Sequence, residues 1–290
     1  MARDMNRHGW IIAAALGLVV MSSGCISAEN PAAGSTKPQP RRFFSVLDLK
    51  QQGTGTVLIG GREAKSTDFP ASLYAVSDKG YCTSALVSAT VMLTAAHCVT
   101  NGENITVTLN KKSYDGVCTR APGYVFKPYN PFDWALCLMS SEIPGIAYEL
   151  VNTDASRIQE GGELLLAGYG CVTTEKKGGH DGKYRIGEAS VDQVPTGDND
   201  DIRVKGVPTP QGKATLCPGD SGGPAFLYLD VNKRYRVIAA VNSRFVFPDT
   251  SYLSSTSTKR AKDFFDAWSK TNGARICGIH SNAVGCRKPQ

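Results

Sequence analysis

The chain has 290 residues, 41% hydrophobic and 20% charged, ordinary globular proportions for one large domain or two lobes sharing a cleft. Its net charge of +6 comes from 32 basic and 26 acidic residues scattered along the sequence, with no Lys/Arg run long enough for a nucleic-acid patch, so no nucleic-acid partner is expected. The four histidines, at 8, 97, 180 and 280, do not cluster with cysteines and no Cys-x-x-Cys occurs, which argues against a metal or cofactor site.

The first thirty residues stand apart from the fold. Arg3 and Arg7 precede an apolar run from Trp10 to Met21, followed by Ser22-Ser23-Gly24-Cys25. A charged start, a short apolar core and small residues at the end make a secretory signal. The run is shorter than the roughly twenty residues a membrane span needs. Two cleavage sites stay open. Gly24-Cys25 resembles the end of a bacterial lipoprotein signal, which would leave a lipidated Cys25 tethering the protein to an envelope membrane. Ser22, however, stands where an aliphatic residue is usual. Ordinary cleavage after Ala28 would instead release a secreted chain.

Residues 29–57 carry Pro31, Pro38, Pro40 and the dibasic Arg41-Arg42 and read as a linker or pro-segment. Setting Cys25 aside, the remaining cysteines (82, 98, 118, 137, 171, 217, 277 and 286) form an even set, which in an exported protein points to disulfides.

From Leu58 to about Thr256 short strands alternate with turns. Strands are expected at Ala85–Leu93, Ile105–Leu109, Trp134–Met139, Glu163–Ala167, Ala225–Leu229 and Tyr235–Val241. Turn dipeptides break them at Asn101-Gly102, Asp115-Gly116, Gly161-Gly162, Gly178-Gly179 and Asp181-Gly182. Helical periodicity first appears at Lys259–Lys270, where Ala261, Phe264, Phe265 and Trp268 make one apolar stripe. Mostly antiparallel β with a single late helix suggests paired barrels or a sandwich.

Gly219-Asp220-Ser221-Gly222-Gly223-Pro224 carries the most chemistry. Glycines on both sides of a serine expose its hydroxyl and let a substrate backbone come close. They also allow neighbouring N–H groups to converge, as an oxyanion hole requires. The nucleophile elbow of an α/β-hydrolase shares the pattern but needs a helix after the serine, whereas Ala225–Leu229 reads as a strand. His97 lies directly before Cys98 at the end of an apolar run, with Cys82 earlier in the chain. Asp133 heads the apolar segment Trp134–Met139, which would bury it. A buried carboxylate there can fix the tautomer of an imidazole base. Asp115 is the competitor, but Tyr114-Asp115-Gly116 reads as a turn.

The order His, Asp, Ser with these flanking residues resembles the chymotrypsin/trypsin family of serine proteases from Leu58 to about Lys270. Leu58-Ile59-Gly60-Gly61 is similar to the family's mature N-terminus, Phe69-Pro70 and Tyr81-Cys82 to its first strands. Lys127-Pro128-Tyr129-Asn130 resembles the segment before its aspartate, and Gly168-Tyr169-Gly170 its Gly-Trp-Gly. The resemblance implies an all-β fold of two antiparallel six-stranded β-barrels, at about 58–160 and 161–257, with a C-terminal α-helix at about 258–270. A tail, 272–290, lies beyond the family's terminal helix. It implies a secreted, monomeric endopeptidase acting on proteins or peptides, with Ser221 as nucleophile, His97 as base and Asp133 orienting it. Gly219 and Ser221 would supply oxyanion-hole N–H groups, and Asp220 would pair with a new amine at Leu58 after activation.

Departures from the family pattern bear on trigger and target. Val57 precedes Leu58 where zymogens usually carry Arg or Lys. Thr215, six residues before the nucleophile, takes the pocket-base position where trypsin-like enzymes carry Asp. A neutral residue cannot compensate a buried basic side chain, so an apolar or small residue is expected before the scissile bond. Asn242-Ser243-Arg244 replaces the family's Ser-Trp-Gly and would line the substrate site, Arg244 narrowing the pocket or favouring acidic side chains. Cys82–Cys98 is the disulfide implied by resemblance. The usual partner of Cys217 has no cysteine here, so Cys171 is assigned to it, leaving Cys118–Cys137 and a local Cys277–Cys286 clasp. The alternative function is a catalytically silent binding or adhesion protein on the same fold.

Overall fold

The computed structural model describes residues 58, 61–65, 67–126, 130–171, 181–206, 213–246 and 248–288. The signal-like segment with Cys25, residues 29–57, Ile59-Gly60, Lys127-Pro128-Tyr129 and Gly178-Gly179 lie outside the described residues.

Six strands close the first barrel: β2 (Ser72–Ser77), β3 (Gly80–Leu86), β4 (Val91–Thr94), β5 (Asn104–Leu109), β6 (Lys112–Arg120) and β7 (Ala135–Met139). They run β2-β3-β4-β7-β6-β5, and β5 pairs back onto β2. The second barrel is β8 (Glu163–Gly168), β9 (Arg185–Gln193), β10 (Ile202–Lys205), β11 (Pro224–Tyr228), β12 (Arg236–Val246) and β13 (Thr250–Ser255). Its order is β9-β10-β13-β12-β11-β8, closed by the β8–β9 pairing. Every pairing named is antiparallel. The expected pair of six-stranded barrels is therefore what the chain forms. The two-residue strand β1 (Arg62–Glu63) precedes the first barrel in sequence but adds to β9 of the second.

Two local expectations are corrected. Ala85–Leu93 is not one strand: the chain reverses between β3 and β4, with Val87 N–H donating to the Val91 carbonyl at 2.9 Å. Ala85–Val87 and Val91–Leu93, on either side of the turn, are all buried, so two short apolar stretches read as one strand. Asp115-Gly116 is no turn either but lies inside β6, opposite Thr106 and Ile105 of β5. A Cβ on Gly116 would stand 2.6 Å from Met139 Sδ, so the glycine admits β7 close alongside. The reversal falls instead at Asn110-Lys111, whose φ values of 52° and 67° fit a type I′ hairpin.

The helix α1 (Lys259–Asn272) is capped by Thr258, which accepts the Ala261 N–H, and ends on Gly273 in the left-handed region. Its apolar stripe sets Phe265 edge-on against Trp134, 6.4 Å between centroids, the residue next to Asp133 in the chain. The tail beyond α1 folds back. Cys277 is bonded to Cys286, and Arg287 Nε lies 3.2 Å from Glu149 Oε2. Arg236 holds the other oxygen of Glu149 at 2.6 Å, so two arginines share one fully buried carboxylate.

Candidate active site

The nucleophile candidate sits between barrels. Thr83 on β3 donates its N–H to the Ser221 carbonyl at 2.8 Å and its hydroxyl to the Gly219 carbonyl at 2.8 Å. The loop of the second barrel is thereby pinned to a strand of the first. Steric limits explain its glycines. A Cβ on Gly222 (φ +79°) would clash with Thr94 Oγ1 and the Thr83 carbonyl, and one on Gly219 (φ +97°) with the Tyr81 ring. Among the described residues no acceptor takes the N–H of Gly219 or of Ser221.

His97 lies in a short 3-10 turn, Ala96–Cys98, that follows β4 and is stapled by the Cys82–Cys98 disulfide. Asp133 approaches from the entry to β7. One carboxylate oxygen accepts the His97 backbone N–H at 2.8 Å, the other meets His97 Nδ1 at 2.6 Å. Both side chains are buried. Burial alone would push Asp133 up, but the histidine's charge, its hydrogen bonds and one from Ser243 hold the carboxyl below the usual range. A neutral imidazole with Nδ1–H on Asp133 carries its lone pair on Nε2. That atom is buried and has no hydrogen-bond partner among the described residues.

Ser243 links the parts. Its hydroxyl donates to Asp133 Oδ2 at 2.6 Å, and its carbonyl accepts from Ser221 Oγ at 3.5 Å. Ser243 occupies a β-bulge, since Asn242 faces Leu253 and Arg244 faces Tyr252 across β12–β13. A bulge re-aims a side chain, here toward the carboxylate.

The other site candidates fall in different places. Asn242, expected at the substrate site, is wholly buried and donates its amide N–H groups to the carbonyls of Ala167 (3.0 Å) and Asp220 (3.2 Å). Arg244 lies over the Tyr252 ring and forms a buried ion pair with Asp201. Its charge is already compensated, which removes the basis for a preference for acidic side chains. Burial pushes Asp201 up to about 6, against the pull of Arg244. Thr215 is buried, and its hydroxyl points at Gly206, where a Cβ would meet it at 2.2 Å.

Asp220 is fully buried. Gly170 N–H and Cys217 N–H donate to its two oxygens at 2.9 and 3.0 Å. In the intact chain Leu58 carries a peptide bond instead of an amine, and these N–H groups are the carboxylate's partners. Burial pushes it up to about 7 despite them. Leu58 itself is buried in the apolar core of the second barrel.

Sulfur–sulfur bonds join Cys82 to Cys98, Cys118 to Cys137, Cys171 to Cys217 and Cys277 to Cys286. The sulfurs of Cys82 and Cys98 lie close to His97, but tied to each other they are not thiolate ligands for a metal. Thr83, the Ser243 hydroxyl and Asp201 escaped sequence reasoning, because nothing in their neighbourhood along the chain marks a contact made across strands.

Residues 58–241 match the family model described as Trypsin. The chain is also similar to "Serine protease SP24D" of Anopheles gambiae, 26% identical over 232 residues that cover 74% of this chain and 81% of that protein.

Proposed function

The chain belongs to the trypsin family, and from that premise we propose that it is an exported serine endopeptidase that cleaves peptide bonds through an acyl-enzyme. The carrying observation is the imidazole: Nδ1 is held on a buried carboxylate while Nε2 is buried without a partner among the described residues. Buried nitrogens are normally satisfied, and an orphan one beside a serine loop suits a base awaiting its proton. Ser221 Oγ rests on the Ser243 carbonyl, and rotation about its Cα–Cβ bond frees it to face Nε2. His97 then takes the hydroxyl proton as Oγ bonds to the substrate carbonyl carbon, and returns it to the leaving amine. The N–H groups of Gly219 and Ser221, which no described residue occupies, would receive the oxyanion. Water hydrolyses the acyl-enzyme by the same proton relay.

Neutral Thr215 favours an apolar or small residue before the scissile bond over a basic one. Export agrees with four disulfides. Whether the mature chain starts at a lipidated Cys25 or after Ala28 is read from the mass of its N-terminal peptide. A fluorophosphonate probe on exported protein tests the reaction. Labelling at Ser221, with peptide hydrolysis lost in Ser221→Ala, is expected. Processed, folded protein that takes no label favours the silent binding reading instead.

A further inference from the structure

A bulge residue has no partner across the ladder, so what aims its side chain must come from its neighbours. Ser243 is such a residue, skipped in the register of β12 against β13, yet its hydroxyl meets Asp133 Oδ2 at 2.6 Å. On its amino side Asn242 is tied to the carbonyls of Ala167 and Asp220. On its carboxyl side Arg244 lies over the Tyr252 ring, 4.7 Å from the centroid, and donates to Asp201 Oδ2. Asp201, just ahead of β10, is itself held, because its other oxygen accepts the Ser254 hydroxyl at 3.3 Å. The Ser254 carbonyl in turn receives Trp134 Nε1 at 3.0 Å, and Trp134 follows Asp133 in the chain. Bonds and chain neighbours thus close a ring from Asp133 through Ser243, Arg244, Asp201, Ser254 and Trp134 back to Asp133. All six side chains are buried, so little water competes for these bonds.

We propose that Asp201 is a positioning residue of the active site: held by Ser254, it anchors Arg244, and the anchored Arg244 aims the Ser243 hydroxyl at the Asp133 carboxylate. The proposal rests on the endopeptidase reading and adds to it a residue that no motif marks. A buried ion pair contributes little to stability, since removing two charges from water costs about as much as their attraction returns. Direction is what this pair supplies. A carboxylate that loses one of its bonds lets the imidazole turn, and misplacing a base by about 1 Å costs on the order of a hundredfold in rate.

The test is a double-mutant cycle on exported, processed protein, with kcat and KM read on a peptide carrying Ala before the cleaved bond. Asp201→Asn should lower kcat by about tenfold and change KM by less than about threefold. Made on top of Ser243→Ala, it should lower kcat by less than about threefold further, because the hydroxyl that it aims is gone. Removing one charge of a buried pair can unfold a protein. The paired variant Asp201→Leu with Arg244→Met leaves no charge buried alone, and in the same cycle it should behave alike. Folded variants that keep wild-type kcat, or that lose the same factor with and without the Ser243 hydroxyl, overturn the inference. Wild-type protein that takes no fluorophosphonate label overturns the underlying endopeptidase reading, so the two failures are told apart.

Discussion

The substitution Asp220→Asn, made in the intact chain alongside Ser221→Ala to prevent self-cleavage, removes one buried charge and little else. The carboxyl is wholly buried, touches the N–H groups of Gly170 and Cys217, and is pressed between Gly168 and Gly170, where any Cβ would strike it. Burial pushes it up to about 7 in the folded chain from an ordinary 3.8. That gap corresponds to about 4 kcal/mol between the two protonation states. The folded value is raised, so the folded chain keeps a proton that the unfolded chain has lost. The stability contributed by this group is complete below about pH 4 and lost as pH rises through about 7. Asparagine cannot ionise and escapes the loss. Its amide meets one of the two N–H donors unfavourably, but so does the protonated acid. The variant should match its parent near pH 4 and exceed it by up to about 4 kcal/mol at pH 8. Asp201, pushed up to about 6, adds its own loss to both proteins and cancels in the comparison. Urea midpoints from pH 4 to 8, at constant m, read the difference, with mass spectrometry showing that the chain is intact. A variant less stable than its parent at pH 8, with the parent's pH slope unchanged, would refute the reasoning, because ionised Asp220 would then have a compensating cation. Cleavage before Leu58 should reverse the sign, since the new amine would supply that cation.

Ser243→Ala removes a hydrogen bond to the Asp133 carboxylate but keeps the backbone carbonyl that receives Ser221. Bonds to charged groups contribute roughly 1.5–3 kcal/mol, so kcat should fall by about tenfold or more with KM little changed. Equal kcat in both proteins would mean that His97 alone orients Asp133. The pair Cys277→Ser and Cys286→Ser opens a clasp between cysteines nine positions apart and loosens Arg287 on Glu149. Loop-closure entropy predicts a loss of about 2.5 kcal/mol, seen as a lower melting temperature, with fluorophosphonate labelling retained in the folded protein.

The candidate catalytic residues stand out in the sequence for local reasons. Ser221 was marked by its glycines, His97 by the adjacent Cys98, and Asp133 by the apolar strand behind it. Each signal lies within a few residues of the group that it marks. The α1 stripe was equally legible, because helical contacts repeat every three or four residues. Strands proved harder. The pattern gives six, one of them a hairpin in the structure, and carries no strand signal for β1, β2, β6, β9, β10 or β13. Asp115-Gly116 looked like a turn because a glycine that admits a neighbouring strand and one that reverses the chain are the same letter.

Local pattern alone carried an all-β chain with one late helix, the candidate nucleophile, base and carboxylate, and a neutral Thr215, and the family resemblance added the paired six-stranded barrels. The neutralisation of Arg244 by Asp201, the bonding of Asn242 to carbonyls within the core, and the bulge that aims Ser243 at Asp133 come from the folded structure. The division has one physical cause. A side chain's chemistry belongs to its own residue, but its direction in a sheet depends on register, and one extra residue in a strand turns everything beyond it to the other face.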